Sequence, residues 1–174
     1  MMESKQAMRR MVERRRAERS GPADLLPALQ PLLDRATTVA SYLPRGTEPG
    51  IAPRPGWLLP VLLADDDLDW VVYDGRLTEG RRGLREPTGA RLGVDALSQC
   101  DLVLVPALLV DRTGHRLGKG GGSYDRALVR TVGFTVALLH DGELVDDVPS
   151  EPHDVCVRAA ATPTAGVVVL PVKM

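Results

Sequence analysis

Apolar positions along this chain fall into short blocks whose spacing changes from one block to the next. Residues 3–19 hold no glycine or proline and are closed by Ser20-Gly21-Pro22, which predicts a first helix. Residues 23–35 keep a helical pattern but contain Pro27 and Pro31, so the second helix is expected to be interrupted. Apolar blocks at 37–43, 58–63 and 68–73 read as strands, and the proline- and glycine-dense stretch 44–56 between the first two reads as a loop. Residues 101–110 are expected to form the central strand, 124–130 a helix, 132–140 the next strand and 165–170 a short last one. Strands alternating with helices predict an α/β domain built on a largely parallel sheet.

The 174 residues suit one domain, spanning 1–174, with a substantial core. Hydrophobic residues make up 44% and charged residues 26%, and the formal charge is −1, so nothing global calls for nucleic acid or an anionic membrane. Aromatic residues are only 3%, too few to stack bases along a single strand. No apolar stretch reaches membrane-spanning length, and the basic N-terminal residues are not followed by the apolar segment of a signal peptide. A cytoplasmic protein is expected. Cys100 and Cys156 lie far apart and read as reduced thiols rather than a disulfide.

The densest chemical signal lies between Asp111 and Arg126, where Gly114, Gly118, Gly120, Gly121 and Gly122 are interleaved with Arg116 and Lys119. The order strand, glycine loop, helix makes an anion cradle, because glycine lets backbone N–H groups approach a ligand closely. This cradle brings its own cations, and Asp125 offers a carboxylate for a divalent metal. The loop is neither a Walker loop, since no Gly-Lys-Ser/Thr closes it, nor a Rossmann fingerprint, since its glycines are at the wrong offsets. A flexible connection is the plain alternative. Lys5 and Arg9, four apart on the first helix, share a face and suit one anion, although such a charged face ordinarily meets only water. Asp65, Asp66, Asp67 and Asp69 are explained by a turn between two strands. His153, Asp154 and Cys156 lack a fourth zinc ligand nearby.

The segment from Val105-Pro106-Ala107 through Asp111, Gly114, Arg116-Leu117-Gly118, Gly120, Gly122 and Tyr124-Asp125-Arg126 resembles the signature of the 5-formyltetrahydrofolate cyclo-ligase family, also called methenyltetrahydrofolate synthetases. Lys5 and Arg9, Tyr42-Leu43 with Glu48, Glu86-Pro87, and Pro149, Glu151, His153-Asp154 with Thr162-Pro163 match other landmarks of that family in the same order. The resemblance implies a three-layer domain with helices flanking the sheet. It implies ATP- and Mg2+-dependent conversion of 5-formyltetrahydrofolate to 5,10-methenyltetrahydrofolate, through phosphorylation of the formyl oxygen.

By the same resemblance, ATP is bound by Lys5, Arg9, Arg116, Leu117, Gly118, Lys119, Gly120, Gly121, Gly122, Ser123 and Tyr124. Leu43, Glu48, Lys119, Gly120, Gly121, Gly122 and Ser123 contact the folate, and Asp125 and Asp154 hold Mg2+. Lys119, Tyr124 and Asp125 are the implied catalytic residues. The expected partners are these two small molecules, with no nucleic acid and no membrane, and the expected state is a monomer or weak homodimer. His153 is expected to be structural and Arg126 a helix-start charge.

Three positions depart from the family pattern. Ser123 stands where an aromatic residue usually precedes Tyr124, the loop 49–56 is short, and His140 or Asp141 occupies the neighbourhood of a frequent glutamine. Ser123 and the short loop favour the alternative of a non-catalytic nucleotide- or folate-binding relative; an ATP-dependent enzyme acting on another amide is a third reading.

Overall fold

The computed structural model describes residues 4–21 and 23–171. Helix α1 (Lys5–Ala17) starts where the Ser4 hydroxyl accepts the Ala7 N–H at 3.1 Å, an N-cap that satisfies one of the free donors of the first turn. Glu3, the expected first residue, and Pro22, part of the expected stop, lie outside the described residues. Helix α2 (Leu26–Arg35) begins three residues later than its sequence pattern indicates. Pro27 sits in its first turn, where a missing N–H costs nothing, and Pro31 is accommodated inside it. Leu25, Leu29 and Leu33, spaced by four, bury one face, and that packing outweighs the proline penalty.

The strands follow as β1 (Val39–Ala40), β2 (Leu58–Leu62), β3 (Leu68–Val72), β4 (Leu77–Glu79), β5 (Arg85–Pro87) and β6 (Leu102–Pro106). Next come β7 (Leu109–Asp111), β8 (Arg116–Leu117), helix α3 (Ser123–Leu128), β9 (Phe134–Leu138), β10 (Leu144–Val145), β11 (Ala159–Thr162) and β12 (Gly166–Val169). Seven of them form the central sheet in the order β12-β11-β9-β6-β1-β2-β3. Its inner pairings are parallel, whereas the two edge strands, β12 and β3, pair antiparallel. β1 stops opposite Leu58, so Pro60 lies where β2 has an open edge and its missing N–H is tolerated.

Alternation along the strands divides the core in two. Leu102 and Leu104 of β6, Val136 and Leu138 of β9, and Ala159 and Ala161 of β11 pack with the α2 leucines. Val103, Val105, Ala137 and Ala160 face the opposite side, with Leu97 from the 3-10 helix Val94–Gln99 and Leu128 of α3. The expected layers are therefore present, with short helices. A second sheet, β10-β7-β8, carries a third cluster in which Val12 of α1 meets Leu108, Leu109, Leu117 and Val148.

Several sequence expectations need correction. The strand expected over 37–43 shrinks to two residues, because the Asp101 carboxylate takes the Thr37 and Thr38 N–H groups at 2.9 and 3.0 Å and diverts them from the ladder. The single strand expected over 101–110 divides after Pro106, β6 staying in the central sheet and β7 joining the second. Both halves are buried, so hydrophobicity could not reveal the division. β11 and the hairpin β4-β5 were not anticipated: β11 reads Ala-Ala-Ala-Thr, with weak strand propensity, and the hairpin is polar and short.

Candidate active site

The glycine loop is held at its base by one buried carboxylate. Asp111, at the end of β7, accepts the N–H groups of Thr113 and His115 at 2.9 and 3.1 Å with Oδ1, and that of Val148 at 3.1 Å with Oδ2. Burial acts to raise its pKa, but the Thr113 hydroxyl, which donates to Oδ1 at 2.7 Å, and then these N–H bonds hold it below the usual carboxylate range. The hairpin β7-β8 then delivers Arg116 and Leu117, and the chain runs through Gly118 to Gly122 into α3. Gly120 and Gly122 have φ of 105° and 77°, so both positions need glycine. At Gly118 a Cβ would stand 2.8 Å from the Arg116 guanidinium.

Charges from distant parts of the chain converge on this loop. Arg9 Nε donates to the Gly118 carbonyl at 2.8 Å, which seats the N-terminal helix against the glycines. Lys119 Nζ lies 2.8 Å from Glu48 Oε2, joining the glycine loop to the loop that follows Tyr42. Lys5 Nζ lies 3.7 Å from Asp154 Oδ2. Arg116 donates to the Pro106 carbonyl at 3.0 Å and to Asp125 Oδ1 at 3.2 Å, and its guanidinium stands 5.8 Å from the centroid of the Tyr124 ring.

Together these residues line one cleft of about 700 Å3. Each residue that the sequence pointed to is on its wall: Lys5, Arg9, Leu43, Glu48, Arg116 to Asp125, and Asp154. Arg126 instead donates to the Gly121 carbonyl at 3.2 Å, a bond across the start of α3. The exposed His153 pairs with Glu151 at 3.1 Å. Of the four aspartates, Asp65, Asp66 and Asp67 lie in the β2–β3 turn, where Asp66 has a φ of 66° and Asp67 meets Arg130, and Asp69 lies in β3 opposite Val61.

Two buried polar atoms in the cleft lack a protein partner: the Tyr124 hydroxyl and Arg116 Nε. An unmatched buried group costs about 1–3 kcal/mol, so both atoms mark places for a polar ligand. Burial, and then the nearby Glu48 carboxylate, push the Tyr124 pKa up, so the phenol keeps its proton at neutral pH. Burial lowers the Arg116 pKa, with the Asp125 carboxylate opposing it most, and the guanidinium remains charged.

The donor set also suits a hard divalent cation. Asp125 and Asp154 border the same cleft as the phosphate-seeking cations, and Mg2+ is commonly held by one or two carboxylates together with substrate phosphates. Among the described residues, the one group of three or more such side chains whose ligand atoms lie within 4.8 Å of one another is Glu151, His153 and Asp154. Asp125 is outside that group and so is Cys156, which leaves the zinc trio of the sequence unassembled.

The far wall was not foreseen as part of the site. It comes from the β4-β5 hairpin, whose Arg82, Leu84, Arg85 and Glu86 line the cleft. Glu86-Pro87 was visible only as a match to a family landmark; the arginines, in a polar stretch without periodicity, gave no signal. Arg45, just before Glu48, lines the cleft as well.

A largely parallel α/β sheet with a glycine-and-cation cleft at the ends of its central strands suits an enzyme that handles phosphate-bearing small molecules. The chain belongs to the 5-formyltetrahydrofolate cyclo-ligase family, whose model matches residues 2–163. It is 39% identical over 171 residues to the 5-formyltetrahydrofolate cyclo-ligase of Mycolicibacterium smegmatis, covering 88% of each chain. It is 35% identical over 91 residues to the Escherichia coli K12 enzyme of that name, covering 51% of this chain and 50% of that one. The fold matches the NMR structure of Aquifex aeolicus 5,10-methenyltetrahydrofolate synthetase with a TM-score of 0.81 at 24% identity, over 98% of this chain and 94% of that one. Among the described residues no helix is long and apolar enough to cross a membrane.

Proposed function

We infer that this chain is an ATP-dependent 5-formyltetrahydrofolate cyclo-ligase, converting 5-formyltetrahydrofolate to 5,10-methenyltetrahydrofolate with release of ADP and phosphate. The observation that carries this reading is the junction at Gly118 and Lys119: Arg9 bonds one residue and Glu48 pairs with the next. A phosphate-binding helix and a folate-binding loop thus meet on a single turn.

The chemistry asks for alignment and charge neutralisation more than for a strong base. A formamide oxygen is a weak nucleophile, so the cleft must hold it in line with the γ-phosphorus. Lys5, Arg9, Arg116 and Lys119 supply positive charge for the triphosphate, and the amides of Gly118 to Gly122 supply directed donors. The formyl oxygen bonds to the γ-phosphorus as the bond to ADP breaks. The neighbouring folate nitrogen then adds to the formyl carbon and loses its proton, and the carbon–oxygen bond breaks to release phosphate. Lys119 stands where both substrates meet and neutralises the transferring group. The protonated Tyr124 hydroxyl donates to an oxygen of the reacting groups, and Glu48 accepts from pterin N–H groups beside Leu43. Asp125 and Asp154 would hold Mg2+, which would supply charge neutralisation at the phosphates.

Ser123, at the start of α3, leaves the cleft lined by a hydroxyl where the family usually has a ring. The reading retains a monomer or weak homodimer, and use of ATP accords with a cytoplasmic setting. The test is direct: purified protein with 5-formyltetrahydrofolate, ATP and Mg2+ should develop the near-ultraviolet absorbance of the methenyl product. ATP binding without product supports the non-catalytic alternative; ADP release with another amide only retains the chemistry and overturns the substrate.

A further inference from the structure

The loop carrying Glu48 contains no helix and pairs with other elements through one bridge, Gly50 to Asp24. At Glu48 it makes a turn bond, from the Glu48 N–H to the Arg45 carbonyl at 2.9 Å, and the ion pair to Lys119, and the residues on either side of Glu48 tie it to the core. The Pro49 carbonyl accepts from the buried Tyr42 hydroxyl. The Thr47 carbonyl lies 2.6 Å from His140 Nε2. A carbonyl only accepts, so Nε2 carries the proton of that bond. His140 is 2% exposed and follows the end of β9, far from the loop in sequence. Burial lowers its pKa, which keeps the ring neutral with its one proton committed to Thr47.

His140 is itself anchored. Its backbone N–H donates to Glu143 Oε1 at 2.8 Å, and Glu143 takes Arg16 through both oxygens at 2.9 Å. Arg16 also donates to the Ala107 carbonyl at 2.7 Å, on the cleft wall. Arg16 belongs to α1, the helix that presents Lys5 and Arg9. One buried carboxylate therefore fixes both the helix on the phosphate side and the imidazole that holds the loop on the Glu48 side.

We propose that His140 is a positioning residue for folate binding: it fixes the Thr47 carbonyl, and through it the direction of Glu48, in register with the phosphate-binding helix. The proposal rests on the reading of Glu48 as a folate contact.

The test compares His140→Phe, which keeps a flat ring and removes the donor, with His140→Gln, which supplies an amide donor. His140→Phe should raise the KM and the directly titrated Kd for 5-formyltetrahydrofolate about tenfold, the scale of one unmatched buried carbonyl. Its kcat and its KM for MgATP should stay within about twofold of the wild type, because nothing on the phosphate side has moved. His140→Gln should recover most of the folate affinity. Wild-type folate affinity in His140→Phe overturns the proposal alone, and so does a parallel loss for both substrates that His140→Gln does not repair. Failure of the wild-type protein to bind 5-formyltetrahydrofolate overturns the functional reading, and this proposal with it.

Discussion

Lys119 and Glu48 face each other across the cleft at 2.8 Å, with the Glu48 side chain 9% exposed and the Lys119 side chain 53% exposed. The pair is lopsided: Glu48 depends on Lys119 for its counter-charge, whereas Lys119 remains open to a ligand. On the proposed reading the ammonium would turn toward an entering triphosphate while pterin N–H groups took its place on Glu48, so the pair would hold the place of both substrates.

Lys119→Met should lower kcat/KM by roughly 100- to 1,000-fold, the usual loss for one charged group at a transferring centre. Glu48→Gln should act differently, raising the folate KM about tenfold with the MgATP KM nearly unchanged. Steady-state kinetics with each substrate varied in turn separates the two. A Lys119→Met enzyme of normal kcat would take the ammonium out of phosphoryl transfer.

Asp125 has a double role, since it pairs with Arg116 at 3.2 Å and borders the cleft with 53% of its side chain exposed. Asp125→Asn keeps the shape and removes the charge. Turnover should fall about 100-fold or more while the folate Kd shifts less than about threefold, because a transition-state contact is lost and the pterin side is untouched. The Mg2+ concentration for half-maximal rate should rise as well. Unchanged magnesium dependence would leave Asp125 as a partner for Arg116 and nothing more.

How much of this site was legible depended on distance along the chain. The glycine loop with Arg116, Lys119 and Asp125 is contiguous, so an anion cradle with its own cations and a carboxylate could be read from the residues alone, whereas Tyr124 gained a role only from the family resemblance. Lys5 and Arg9 were visible as a pair at helical spacing, but not their target, because the bond from Arg9 to Gly118 spans 109 residues and leaves no periodic trace. β2, β3 and β9 were read within about two residues of their ends, since their β-branched and aromatic content agrees with their burial. β11 escaped because three alanines carry no strand signal, and the division of the 101–110 run escaped because both halves are equally apolar. His140 was read only as the end of the 132–140 strand, and nothing in the sequence singled out Glu143; the fold encloses both.

The Arg16–Glu143 pair is buried, with side chains 6% and 8% exposed, and its removal should be felt as stability. Arg16→Met leaves the Glu143 carboxylate enclosed without its partner and should cost about 3–5 kcal/mol. Replacing both, as Arg16→Met with Glu143→Leu, removes the stranded charge and should cost less than the two single changes summed, though the His140 N–H then loses its acceptor. Urea unfolding of the four proteins in a double-mutant cycle gives the coupling. Additive costs would mean that the two groups do not act as a unit.

Asp67 and Arg130 make the acid sensitivity of the fold predictable. Arg130 donates to both oxygens of Asp67, at 2.7 and 2.6 Å, tying the segment after α3 to the β2–β3 turn. Those hydrogen bonds are the chief reason that the Asp67 pKa lies below its ordinary value, with the Leu68 N–H adding to them and burial opposing. A carboxylate whose pKa is lower in the folded state binds fewer protons there than in the unfolded chain, so its stabilisation is complete above the unfolded value of about 3.9. It is lost as pH falls through the folded value. Asp67→Asn should therefore destabilise the protein at neutral pH by about 2 kcal/mol, the scale of charge-assisted hydrogen bonds, and its stability should fall less steeply than the wild type's from about pH 5 downward. Asp101, Asp111 and Asp141, also held below the ordinary range, keep part of that slope in the variant. Urea midpoints measured at a series of pH values check this: the two stability curves should converge toward low pH, and curves that stay parallel would show that Asp67 contributes nothing to acid unfolding.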